Sequence, residues 1–155
     1  MSVTDKQFWD IVGLLDWSRG DERTIIEPAI RKLAAMPVRE IYMFDEFLRW
    51  RVYTLDTRQH ALNFAPGVEC YGYIDDSMPF STDGFVYCRA MVVAKGQAEY
   101  ERVLADPTRM AHEGFELFLY LPHFAYERKT GADYEYESEI DCFSAGVNRA
   151  GWLRE

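Results

Sequence analysis

Between Ser81 and Pro107 the sequence sets out helix starts and stops in a fixed order. Ser81 or Asp83 supplies an N-cap, and Phe85, Cys88, Val92 and Met91 follow close to the helical period. Lys95 falls in the last turn, and Gly96 offers the left-handed residue that ends a helix without a Cβ penalty. Tyr100, Val103 and Leu104 then predict a short second helix. Asp106-Pro107 is an N-cap followed by proline at the first helical position. A chain punctuated in this way predicts helices packed on helices.

The flanks repeat the pattern. Thr4 with Gln7 makes a capping box ahead of Phe8, Ile11, Val12 and Leu15, one face of a first helix. Thr24 with Glu27 makes a second box, and Ile26, Ala29, Ile30 and Leu33 continue on one face. Pro28 fits there if the regular part begins near Glu27. Pro37 opens the longest helix, over 38–56, with Ile41, Phe44, Leu48, Val52 and Leu55 as its apolar stripe. Arg39, Asp45, Arg49 and Arg51 are expected on its wet side. Thr57 to Asn63 predicts a shorter helix, and 65–80 reads as loop from Pro66, Gly67, Gly72, Asp75, Asp76 and Pro79. The last long helix is expected from Phe115 to Lys129, kinked or divided at Pro122 and ended by Gly131. Beyond it the period drops to two, predicting an extended segment or an edge strand over 133–141. Trp152 and Leu153 are expected to dock the tail.

A length of 155 residues fits one domain, with a helical core over about 4–131 and an extended C-terminal segment over 132–155. Apolar residues at 48% and aromatics at 15% argue against disorder. The net charge of −9 repels nucleic-acid phosphates and anionic lipid, and favours a basic partner. Three cysteines, Cys70, Cys88 and Cys142, lack metal-site or disulfide spacing, so no metal or other cofactor is expected. The opening MSVTDKQFWD has neither a basic region nor an apolar run, and no stretch reaches the ~20 apolar residues of a membrane span. A cytoplasmic protein is the expectation.

The order D-G-F-x-Y-x-R-A-x-x-x-x-x-G-x-x-x-Y-E-x-x-L-A-D-P, Asp83 to Pro107 here, resembles the bacterial domain-of-unknown-function family 4240. The T-x-x-x-F-W-type opening (Thr4 to Trp9) and E-x-K-T-G (Glu127 to Gly131) extend the likeness over about residues 4–131. The resemblance implies an α-helical, bacterial, cytoplasmic protein and brings no assigned activity. The chain departs from the family where members commonly carry a tryptophan near Met91, and in its longer 65–80 loop.

Catalytic chemistry finds no pattern to stand on. Asp75, Asp76 and Asp83 lack the spacing of a calcium loop, and His123 with Glu127 has no nucleophile in a recognisable setting. Phosphate-binding glycine loops are missing. The strongest signal is electrostatic. Asp133, Glu135, Glu137, Glu139 and Asp141 place five acids and no base in residues 133–141, interleaved with Tyr134 and Tyr136. Exposed tyrosine beside carboxylate suits a protein-binding face.

The sequence therefore predicts an all-α, compact multi-helix domain of six to eight helices ending in an extended acidic segment. Its expected function is a non-catalytic acidic protein-binding module, with an immunity protein against a basic toxin as the plausible form. The binding face would be Asp133, Tyr134, Glu135, Tyr136, Glu137, Glu139 and Asp141. The alternative is a small enzyme or ligand-binding protein with a pocket of Tyr71, Tyr73, Asp76, Asp83, Arg89 and His123. A homo-oligomeric structural or regulatory component is the third reading.

Overall fold

The computed structural model describes residues 4–64, 72–75, 78–80 and 82–153, with the main chain alone over 72–75 and 78–80. Several of its helices begin where a side chain satisfies a free backbone N–H group. Thr4 Oγ1 accepts the Gln7 N–H at 3.2 Å while Gln7 Oε1 accepts the Thr4 N–H at 2.9 Å, which starts α1 (Asp5–Val12). The second start differs from expectation. Asp21, not Thr24, caps α2 (Glu22–Ala34), its Oδ1 accepting the Thr24 N–H at 3.0 Å. Pro28 therefore sits well inside α2, where it has no N–H to give the carbonyl one turn back. Nearby, the Ile25 carbonyl accepts the Asp16 N–H at 2.9 Å and ties down the α1–α2 loop.

Pro37 stands ahead of α3 (Val38–Thr54), its carbonyl accepting the Glu40 N–H at 2.9 Å, and Thr57 caps α4 (Arg58–Asn63) through the His60 N–H. The main chain of β1 (Gly72–Asp75) pairs antiparallel with β2 (Met78–Phe80). Helix α5 runs Thr82–Ala94, and Gly96, at φ +107°, separates it from α6 (Gln97–Ala105). Asp106 caps a single 3₁₀ turn, Pro107–Arg109. The expected long helix from Phe115 is divided at Pro122: a 3₁₀ turn, Glu116–Tyr120, gives way to α7 (Leu121–Thr130), with the proline in the first turn. Gly131, at φ +72°, ends α7 and reverses the chain. A short α8 (Arg149–Trp152) closes the described residues. The architecture is all-α, with eight α-helices among the described residues.

Helix α3 is the centre of the packing, touching α1, α2, α5 and α7. Its stripe Ile41, Phe44, Leu48, Val52 and Leu55 is at most 1% exposed. Phe8 of α1 packs its ring 4.9 Å from that of Phe44. Helix α2 lies along α7, and Glu27 bridges them, holding Arg23 at 2.7 Å and Arg128 Nη2 at 2.9 Å. The Arg128 bond first, and Arg23 after it, outweigh burial and hold the Glu27 carboxyl at about 2. Across the bundle, Arg51 pairs with Asp5 and faces the rings of Trp9, Phe47 and Tyr100.

The wet side expected for α3 is not wet. Arg39 is exposed, but Asp45 is 1% exposed and the side chains of Arg49 and Arg51 only 15%. Asp45 and Arg49 are covered by the chain after Gly131, and Arg51 by the aromatic cluster of α1 and α6. That last segment has neither helix nor strand over 132–148. Leu153, expected to dock, is 76% exposed, and Leu104 is 39% exposed.

Candidate functional site

Helix α3 carries a second stripe beside its apolar one: Tyr42, Asp45, Glu46, Arg49 and Tyr53, continued past the helix end by Asp56. The spacings of three and four keep these residues on one side. The segment 132–152 is a strap that lies along this stripe in the same direction as α3. Tyr134 donates its hydroxyl to Asp45 Oδ2 at 2.7 Å, and Tyr136 donates to Glu46 Oε1 at 2.6 Å. Arg49 holds Asp45 Oδ1 at 3.0 Å, reaches the Ile140 carbonyl at 3.5 Å and faces the Phe143 ring. Asn148 Nδ2 donates to the Tyr53 carbonyl at 3.4 Å.

Asp56 closes the strap. Fully buried, it accepts the Gly146 N–H at 2.9 Å, the Asn148 N–H at 3.0 Å and the Trp152 indole N–H at 2.7 Å. A Cβ on Gly151 would stand 2.9 Å from the Asp56 carbonyl oxygen, so the tail approaches this corner as closely as glycine allows.

These contacts sort the acids from the tyrosines. Tyr134 and Tyr136 are half-buried, turned inward rather than exposed as the alternation suggested. Tyr42 stacks on Tyr136 at 4.5 Å and 13° and on Tyr126 at 5.9 Å and 23°. Tyr134 packs against His123 at 4.3 Å and edge-on against Tyr126 at 5.4 Å. Asp133, Glu135, Glu137 and Glu139 face solvent, with no hydrogen bond or ion pair among the described residues. Asp141 is also exposed, but its carboxylate caps the following turn through the N–H groups of Phe143 at 3.0 Å and Ser144 at 3.1 Å. Burial raises its carboxyl, and the bonds from Ser144 and Phe143 outweigh that and leave it below the usual range.

The electrostatics under the strap follow from burial. Asp45 is pushed above the usual carboxylate range by burial, only partly offset by Arg49 and the Tyr134 hydroxyl. Tyr134 is driven well above the phenol range by burial and by the Asp45 carboxylate, and Tyr136 to about 12 by burial and Glu46. His123 is lowered by burial, against the pull of Asp45. Cys142, a buried residue of the strap itself, is a thiol held up at about 11 by burial, a poor nucleophile.

The alternative pocket set does not gather in the same way. Tyr71 and Asp76 lie outside the described residues, as does Cys70, and Tyr73 lies in β1, of which the main chain alone is described. Asp83 is exposed in the first turn of α5. Arg89 is 0% exposed, gives Nη1 to the Val52 carbonyl at 3.0 Å and lies 4.5 Å over the Phe85 ring. Burial lowers it to about 10, against the pull of Asp56, Cys142 and Asp141. His123 stands on α7 against Tyr134 and Tyr120. Two surface recesses, of about 410 Å³ beside Ile11 and Leu14 and about 380 Å³ beside Met91 and Lys95, include none of these residues. Among the described residues no three potential ligands gather as a metal site, and no helix is long and apolar enough to cross a membrane.

Sequence reasoning found the acids and missed their seat. The missed residues are Tyr42, Asp45, Glu46, Arg49, Asp56 and Tyr126. Their signal was the second helical stripe, which mixes aromatic and charged residues and so reads as solvent-facing.

No curated protein and no solved structure matches the chain. Residues 3–128 match the family model described as a protein of unknown function, DUF4240, a span that stops short of the strap. The central motif, Asp83 to Pro107, forms α5, α6 and the capped turn after them, and with that match the chain belongs to the DUF4240 family.

Proposed function

We propose that the chain is a non-catalytic binding module whose acidic strap captures a basic protein, in the form of an immunity protein that covers a cognate basic toxin in the bacterial cytoplasm. One observation carries this reading. Asp133, Glu135, Glu137 and Glu139 alternate outward from a backbone pinned by the phenols of Tyr134 and Tyr136, with no described cation paired to them. Free carboxylates on a fixed backbone steer an oppositely charged partner and lose little entropy on docking. The charge on this ridge comes from residues that do no work inside the fold. Its seat, by contrast, uses Asp45 and Asp56, which are buried and bonded.

The test is capture from the native host on immobilised protein, with stoichiometric partners identified by mass spectrometry. The same capture is then run with Glu135, Glu137 and Glu139 all changed to Lys. A basic protein retained by the natural chain, released by moderate salt and lost with the triple variant is the expected result. Equal retention by the variant at low salt would move the binding face elsewhere. Capture of no stoichiometric protein would remove the reading.

A further inference from the structure

We infer that the residue by which the basic partner is recognised at this face is an arginine, its guanidinium laid against the tyrosine stack of Tyr42, Tyr126, Tyr134 and Tyr136. This rests on the proposal that the partner is basic, and it names the chemistry that reads it. The starting observation is how the chain treats most of its other aromatic clusters, the stacked Trp50–Tyr53 pair excepted. Arg23 lies 4.9 Å over Phe124, Arg49 faces Phe143 at 5.6 Å, and Arg51 stands within 5.9 Å of Trp9, Phe47 and Tyr100. Arg89 lies 4.5 Å over Phe85 and Lys95 3.9 Å over Trp17. Among the described residues, no cation lies over any ring of the tyrosine stack.

This stack is the one best made for a cation. Tyr126, Tyr42 and Tyr136 lie nearly parallel, at 23° and 13°, so Tyr136 ends a column of three rings. The Tyr136 hydroxyl donates to Glu46 and that of Tyr134 to Asp45. A phenol that donates a hydrogen bond to a carboxylate, its proton retained, gains electron density in its ring and deepens the negative face that attracts a cation. The rings are half-buried, so a docked cation is partly desolvated, where such contacts strengthen. Glu135 and Glu137 flank Tyr136 along the strap, exposed and unpaired among the described residues. A guanidinium stacks flat on a ring and keeps its edge donors for carboxylates, whereas an ammonium is a compact, strongly hydrated charge. Arginine is therefore preferred to lysine at equal charge.

The probes are an oligo-arginine and an oligo-lysine peptide of equal length, titrated calorimetrically into the full chain at low and at physiological salt. The expected result is about tenfold tighter binding of the arginine peptide. Tyr136→Leu should bring the two peptides to within about twofold of each other, and Tyr136→Phe should keep most of the preference. Tyr42→Leu is the second variant: it removes the middle ring, leaves both phenol–carboxylate bonds intact, and should also reduce the preference. Equal affinity for the two peptides, with strong salt dependence, overturns the inference and leaves the acidic ridge standing. An arginine preference that survives both leucine variants overturns it too. Binding of neither peptide removes the ridge reading along with it.

Discussion

Asp56→Asn is the sharpest perturbation of the strap. The natural carboxylate is 0% exposed and accepts three N–H groups, at 2.9, 3.0 and 2.7 Å. Asparagine keeps the shape, offers one acceptor oxygen and turns an NH₂ toward donors. Hydrogen bonds to a buried charge contribute about 1.5–3 kcal/mol each, but the three share one anchor and will not add. Asp56 also offsets the charge of the buried Arg89, whose Nε and Nη2 have no described partner. The cost of the substitution is put at about 3 kcal/mol, the upper end for one bond to a buried charge. The loss is bounded by what the strap's tail contributes, because a tail that frays needs no further cost. The expected result is a fall of about 100-fold or more in amide-exchange protection at Gly146 and Asn148, with the α3 and α5 amides far less affected. If the cost were transmitted fully to the core, the melting temperature would drop by about 6–12 °C. Unchanged protection at both amides, with a melting shift under about 1 °C, would refute the clasp.

Two further outcomes follow from burial. His60, 2% exposed, accepts the Thr57 hydroxyl at Nδ1 (2.6 Å) and donates Nε2–H to the Val103 carbonyl (2.8 Å), so both nitrogens are satisfied by the neutral ring, and burial lowers its pKa. The contribution of the neutral ring is complete above the unfolded value of about 6.5 and is lost as pH falls below it, so the urea midpoint should drop between about pH 7.5 and 5.5, and less steeply in His60→Gln. Phe44→Ala, at a 0% exposed site, should cost about 3–5 kcal/mol in chemical denaturation, whereas Leu153→Ala, at 76% exposure, should stay within about 0.5 kcal/mol.

The helices were legible because their signals are local. The capping box at Thr4, the stripe from Ile41 to Leu55, the glycine stops at Gly96 and Gly131 and the division at Pro122 all appear as read. Asp21 took the cap assigned to Thr24 because its carboxylate accepts the N–H of Thr24 itself and starts the helix a turn earlier, and a helix held on α7 tolerated Pro28 in its interior. The site was half legible. Alternating period along 133–141 correctly separated two sets of side chains, but period alone does not say which set faces in. Here the tyrosines face in because α3 offers them acceptors, Asp45 and Glu46, about ninety residues earlier in the chain. A polar stripe on a helix means solvent only when nothing polar comes back to meet it.

That dependence on acceptors gives the strap a distinct response to alkali. Tyr134 and Tyr136 are donors to carboxylates, so each must keep its proton for the strap to stay seated. Burial, followed by the facing carboxylates, raises both phenols, Tyr136 to about 12. In the unfolded chain they titrate near 10. Between that value and their folded values the native state holds protons that the unfolded chain has released, so stability falls as pH rises through this window. Ionised, either ring would set a tyrosinate against a carboxylate, and the strap should lift. Among the ten tyrosines, spectrophotometric titration should therefore show a delayed, cooperative step that coincides with lost amide protection along 134–148, and Tyr136→Phe should diminish that step. Tyr136→Phe takes one titrating donor out of this window and should flatten the stability loss above pH 10, although it removes a bond at neutral pH. A single titration of all tyrosines near 10, with the strap amides still protected, would mean that the phenols do not hold the strap.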